Sequence, residues 1–158
     1  MSEAALERDK DAVDLGPLKE SLGFLLRLSQ LVSFRDFFAV LGKEDIRPGE
    51  ASVLMLLERN PGIRQGVLAR ELMIKRAHMT KMMRAMETAG LVTRTVPEDD
   101  RRAAEIWLTE RGKARVAELA GPFLAHESTV AGSLTRREEA ELKRLLRKYL
   151  GIEEASTR

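Results

Sequence analysis

The chain has 158 residues, 44% of them apolar and 33% charged, with no cysteine; this is the balance of one helical domain with a real core, and it excludes a disordered or fibrous protein, disulfides, thiolate metal sites and thiol chemistry. No apolar run approaches the roughly 20 residues that span a bilayer, and the acidic, polar start does not read as a signal peptide, so a cytoplasmic protein with no membrane partner is expected. The formal net charge is only +2, yet residues 64–102 carry nine basic and five acidic side chains, a local +4 against −2 for the rest, which points to a polyanion as partner.

After a polar leader, Leu15 to Leu41 reads as one long helix. Pro17 suits a first turn, and Leu18, Leu22, Leu25, Leu28, Leu31 and Val32 recur at steps of three and four. Phe24, Leu26, Phe34, Phe37 and Phe38 widen the stripe beyond one face, so this helix is expected to pack against a partner subunit as well. Gly42 ends it, and Pro48 opens a second helix to about Arg59, closed by Asn60-Pro61-Gly62. Two short helices follow, one from Gln65 to Met73 with Val67, Leu68 and Leu72 inward, the other from Arg76 to Ala89, ending at Gly90. Their short connection predicts a helix-turn-helix. The runs 91–96 and 104–108 are predicted strands of a two-stranded hairpin, whose tip from Pro97 to Arg102 is too charged to be buried. Thr109 caps a helix running towards Ser133, with a bend expected at Gly121-Pro122. Thr135-Arg136-Arg137-Glu138 is a capping box for a last helix striped by Leu142, Leu145, Leu146, Tyr149 and Leu150 and stopped by Gly151. No repeat, low-complexity tract or linker divides the chain.

On a helical wheel of residues 76–89, Met79, Met82, Met83 and Met86 fall together, while Ala77, Lys81, Arg84 and Thr88 lie opposite. The methionine side has the spacing of a packed inner face rather than of a metal or cofactor site. On the outward side Ala77 allows close approach, Arg76, Lys81 and Arg84 offer donors to guanine edges or phosphates, and His78 and Thr80 add short polar contacts. A solvated basic face is an equally good account of this helix taken alone. The hairpin shifts the balance: Arg101 and Arg102 project beyond two strands with Asp99 and Asp100 near enough to restrain a guanidinium, a form suited to the narrow, electronegative minor groove.

From about Pro48 to Gly112 the chain resembles the MarR family (multiple antibiotic resistance regulators). That family's wing carries Asp-x-Arg, five residues, then Leu-Thr. Here Asp100-Arg101-Arg102 is followed by residues 103–107 and then Leu108-Thr109. Asn60-Pro61-Gly62, Leu68-Ala69-Arg70-Glu71-Leu72 and Leu91-Val92 after Gly90 are similar to the family's punctuation. The resemblance implies a mainly α, winged helix-turn-helix fold with a two-stranded β wing and N- and C-terminal dimerisation helices. The domain is then 15–151, with dimerisation segments 15–47 and 110–151 around a DNA-binding lobe at 48–109, between a flexible leader (1–14) and tail (152–158). It also implies a homodimer on double-stranded DNA, a recognition helix starting at Arg76, and Arg102 at the wing tip held by Asp100. Two departures stand out. Ala77 and His78 replace the Ser or Thr frequent in the family, so base preference does not carry over, and Arg84 stands where an acidic residue is common.

The resemblance further implies control by a small-molecule effector, commonly a phenolic or other aromatic acid. Ser33, Phe34, Phe37, Phe38 and Met55 are candidates for an apolar pocket, and Arg27 or Arg35 for pairing with a carboxylate, against the plainer reading of each as core packing. No cofactor is implied. An enzyme is not supported, because the chain lacks cysteine, a glycine-rich phosphate loop and a nucleophile elbow. A metal-responsive regulator would have to use His78 with His126-Glu127, which lack ligand spacing. A winged-helix protein-interaction module is opposed by the outward charges of Arg76, Lys81, Arg84 and Arg102.

Overall fold

The computed structural model describes residues 13–96 and 104–152. The chain forms two units, one up to Arg35 and the other from Asp36 onward. In the first, Asp14 accepts from the Gly16 amide and from Lys19, and a tight 3-10 turn covers Gly16–Glu20. The expected single helix from Leu15 is broken at Ser21, whose backbone is extended (φ −80°, ψ 109°). Its hydroxyl accepts from the Phe24 amide at 3.4 Å, which makes Ser21 the N-cap of a fresh helix, α1 (Leu22–Leu41). The apolar steps of the sequence run through the break because both pieces carry the same stripe.

In the second unit, α1 ends at Leu41 in a short 3-10 turn, Gly42–Glu44. Arg115 donates to the Glu44 carbonyl and carboxylate and to Glu118, tying that turn to a later helix. Helix α2 (Pro48–Arg59) starts on proline, with the Glu50 carboxylate accepting from the Arg47 amide at 3.0 Å. The helix-turn-helix follows as α3 (Gln65–Glu71) and α4 (Arg76–Thr88). Helix α3 stops two residues earlier than its apolar pattern indicates because Met73 adopts φ 52°, outside the helical region. Strands β2 (Val92–Thr95) and β3 (Glu105–Leu108) form the hairpin, paired Val92 with Leu108 through Thr95 with Glu105. The wing has a third member: β1 (Ile63–Arg64) pairs with β3, giving an antiparallel sheet of order β1-β3-β2. Gly62, at φ 78°, makes this possible. Its amide donates to Ile106, and a Cβ there would lie 2.5 Å from the Trp107 ring. The hairpin tip with Asp100, Arg101 and Arg102 lies outside the described residues.

The core gathers Leu41, Val53, Leu54, Leu57, Leu68, Met79, Met83, Ile106 and Leu119, all essentially inaccessible. Helix α5 (Glu110–Val130) passes uninterrupted through Pro122 and buries Val116 and Leu119. Helix α6 (Arg136–Leu150) opens on the expected capping box: Thr135 accepts from the Glu138 amide, and the Glu138 carboxylate accepts from the Thr135 amide and hydroxyl. Those bonds hold the Glu138 carboxyl below its ordinary range, the backbone bond contributing most. Helices α4 and α6 both end on a glycine at positive φ, with the Leu91 amide donating to Met86 and the Ile152 amide to Arg147, so the last carbonyls are satisfied. Among the described residues no helix is long and apolar enough to cross a membrane.

The wing is locked to the helices at Thr109 and Gly112. The Thr109 hydroxyl donates to the Gly90 carbonyl at 2.6 Å and accepts from the Gly112 amide at 3.0 Å. A Cβ on Gly112 would sit 2.1 Å from the Leu91 carbonyl oxygen, a backbone atom that cannot step aside cheaply. Gly112→Ala is therefore expected to cost about 3 kcal/mol, lowering Tm by roughly 6–12 °C. Calorimetry of the variant beside the parent checks this, and an unchanged Tm contradicts the close approach.

Candidate nucleic-acid interface

Helix α4 is built as the sequence reading expects. Met79, Met82, Met83 and Met86 are buried, whereas Arg76, Ala77, His78, Lys81, Arg84 and Thr88 are exposed. At 100° per residue this split is rigid: a helix that buries the methionines must present Lys81 and Arg84 outward. Arg76, Lys81 and Arg84 carry no ion pair among the described residues, so their charge is available to an incoming anion. The helix has no side-chain N-cap at Lys75, which leaves its first amides open on the side where Arg76 stands.

Thr80 is the exception among the expected contact residues. It is half-buried, donates to the Arg76 carbonyl at 2.9 Å and accepts from Gln65 Nε2 at 3.1 Å. Its hydroxyl thus joins the two helices of the motif and is already engaged on both sides. The wing strands contribute Thr93, Thr95 and Trp107 to one exposed face, with the indole donating to Thr95 Oγ1 at 2.9 Å. Arg94 points to the other face, its Nη2 3.3 Å from the Glu87 carboxylate of α4. That pair joins the wing to the end of the outward-facing helix, and nothing in the sequence alone brings the two residues together.

The seven candidate effector residues are divided between the two units. Arg27, Ser33, Phe34 and Arg35 belong to the first unit, Phe37, Phe38 and Met55 to the second. Phe37 is a core residue, 3% exposed, meeting Phe38 edge to face at 5.7 Å and His126 at 5.4 Å. His126, which a metal-responsive regulator would have to use together with His78, is 3% exposed and packed among Phe37 and Phe123, while His78 is exposed on α4. Among the described residues no group of three His, Cys, Asp or Glu is placed to hold a metal ion.

The model of the MarR family matches residues 46–104, the span from the start of α2 to the hairpin. The CouR transcriptional repressor bound to a 23-mer DNA duplex is similar over 89% of this chain and 99% of its own, with 33% identity and a TM-score of 0.82. The chain belongs to the MarR family. Members of the MarR family are transcription regulators rather than enzymes. This MarR chain is also similar to CouR bound to p-coumaroyl-CoA, at 31% identity over 88% and 98% of the two chains, with a TM-score of 0.78. A MarR family protein of Mycobacterium tuberculosis in complex with salicylic acid matches at 29% identity over 82% and 96%, with a TM-score of 0.65. Among curated proteins, the putative transcriptional regulatory protein for the hcr operon of Thauera aromatica is 28% identical over 84% of this chain and 81% of its own length.

Thr80→Val tests the internal joint of the helix-turn-helix. Losing the Gln65 bond is expected to cost about 1 kcal/mol of stability, read as a lower denaturant midpoint, and no shift in midpoint contradicts it.

Proposed function

We propose that this MarR-family regulator is a cytoplasmic repressor that binds an imperfectly palindromic operator as a homodimer and leaves it when a small aromatic or phenolic acid, or its thioester, binds. The observation that carries the reading is the outward face of α4: Arg76, Lys81 and Arg84, exposed and without ion pairs among the described residues, backed by four buried methionines. On a pair of chains, two such helices reach successive major grooves when they stand about 34–36 Å apart. Asp100, Arg101 and Arg102, outside the described residues, are assigned to the minor groove by the wing pattern.

Dimerisation is supported by apolar side chains with no cover in one chain. Helix α6 has no buried residue although Leu142, Leu145, Tyr149 and Leu150 stripe it. Leu18, Leu22, Leu25, Leu28 and Leu31 are exposed in the first unit. Such stripes in a soluble regulator call for a partner surface. CouR has been solved with a DNA duplex and with p-coumaroyl-CoA, which favours a thioester or acid of this class here. An effector that binds better to a conformation with another lobe separation weakens DNA binding by its differential affinity, and DNA opposes the effector by the same factor. A winged-helix module devoted to protein contacts has no use for an unpaired cationic helix.

Selection of bound sequences from random duplexes by the purified protein is expected to return two half-sites related by a dyad, about 10 base pairs apart centre to centre. On that site, Arg102→Ala is expected to weaken binding about tenfold without changing Tm, and Lys81→Ala to lower the salt slope by about one. Selection without enrichment, or full affinity in both variants, overturns the reading. Aromatic acids and their CoA thioesters are expected to raise Tm and lower operator affinity together. If the whole class leaves both unchanged, the effector assignment fails.

A further inference from the structure

Between the helix-turn-helix and the sheet lies an open cleft of about 940 Å³. Its walls carry Arg64 of β1, Arg70 of α3, Lys75 and Arg76 at the start of α4, and Arg94 of β2, with no Asp or Glu among the described lining residues. We propose that this cleft is a second DNA contact, which receives a backbone phosphodiester of the duplex and so sets the depth to which α4 enters its groove. The proposal rests on the DNA-binding reading above and adds to it Arg64, Arg70, Lys75 and Arg94, which are assigned neither to α4's outward face nor to the wing tip.

A major groove and the minor groove beside it are separated by one sugar–phosphate strand. If α4 lies in the first and the wing in the second, whatever stands between them faces that strand. The cleft occupies that position, flanked by the start of α4 on one side and by β1 and β2 on the other. It is also too large for a single bare ion, whereas a phosphodiester is part of a chain that must enter and leave.

Among the described residues, Glu71 accepts from Arg70 Nε and Nη2, Glu87 faces Arg94, and Glu105 stands opposite Arg64 in the sheet, fewer carboxylates than the five cations of the walls. Lys75 and Arg76 have no ion pair among the described residues, so the cleft keeps a positive balance whose self-repulsion an anion relieves. Arg94 adds a specific sign. Its Nε and Nη2 are shielded from solvent and have no hydrogen-bond acceptor, the approach to Glu87 at 3.3 Å being a charge contact only. Nε and Nη2 being inaccessible, Arg94 acts on a phosphate in the cleft through its charge, the rest of the side chain lying about a quarter exposed along the wall. Arginine and lysine cations on such walls are the side chains that neutralise backbone phosphates.

The test uses the full-length protein and a fluorescein-labelled random-sequence duplex of about 30 base pairs, three helical turns, titrated by anisotropy over a range of KCl. Lys75→Gln changes an exposed side chain and is expected to keep its Tm while reducing the slope of log K against log [KCl] by about 0.9. Arg94→Gln is expected to reduce it as well and Arg94→Lys to restore it, a rescue that depends on charge and not on packing. Lys113→Gln, on α5 and paired with Glu110, is expected to keep the parent slope. If the parent binds steeply and Lys75→Gln and Arg94→Gln bind with the same slope, the cleft is not a phosphate contact although the DNA reading stands. A parent that does not bind duplex overturns both. In a separate arm, inorganic phosphate at matched ionic strength is expected to leave Tm unchanged. If it stabilises the parent but not Lys75→Gln, the ligand is a free anion, and the assignment to the DNA backbone is overturned.

Discussion

The burial of Met79, Met82, Met83 and Met86 in one core with Leu54, Leu57, Leu68 and Ile106 fixes α4 in rotation about its own axis. Each buried methionine is worth about 1.5–3 kcal/mol relative to an exposed one. Turning the helix by a single residue step would therefore forfeit several kcal/mol and drive Lys81 or Arg84 towards the interior, where an unpaired charge is far more costly. The cationic face needs no separate device to hold it outward. It is the complement of the packed face, and flexible methionine side chains let the inner face fill the space between α2, α3 and the sheet.

The wing depends on the same core through a few backbone joints. Gly90 and Leu91 close α4, Thr109 bonds back onto that closure, and Gly112 lets the start of α5 lie against Leu91. Arg94 then joins β2 to Glu87 near the end of α4. Helix α4, the wing strands and the start of α5 thus form one assembly among the described residues. A DNA-reading surface spread over two elements works only if they cannot drift apart, and these contacts meet that condition at low cost in chain length.

The helices were legible because their periodicity and their ends are written in adjacent residues: the methionine spacing of α4, the Thr135–Glu138 box, and the glycines at 90 and 151. The helix-turn-helix and the hairpin followed from order and spacing, and the Asp100-to-Thr109 pattern tied them to the family. What escaped has a common physical origin. A two-residue strand such as Ile63–Arg64 has no alternation to detect, and it exists only because Ile106 offers a pairing edge. Ser21 breaks a helix without breaking its apolar stripe. His126 is followed by Glu127 and Ser128 and looks superficial, yet it is buried against Phe37, far away in sequence. The cleft collects five cations from four short segments, and no local pattern announces a surface assembled by the tertiary fold.

The proposed reading of two turns of duplex with one such helix per chain requires a pair of chains. Sedimentation equilibrium of the purified protein at micromolar concentration, alone and with a selected duplex, addresses this most directly. A species of twice the 17.7 kDa chain mass and two chains per duplex are expected. A 17.7 kDa species that binds the duplex one chain at a time, with no preference for a second, would contradict the pairing.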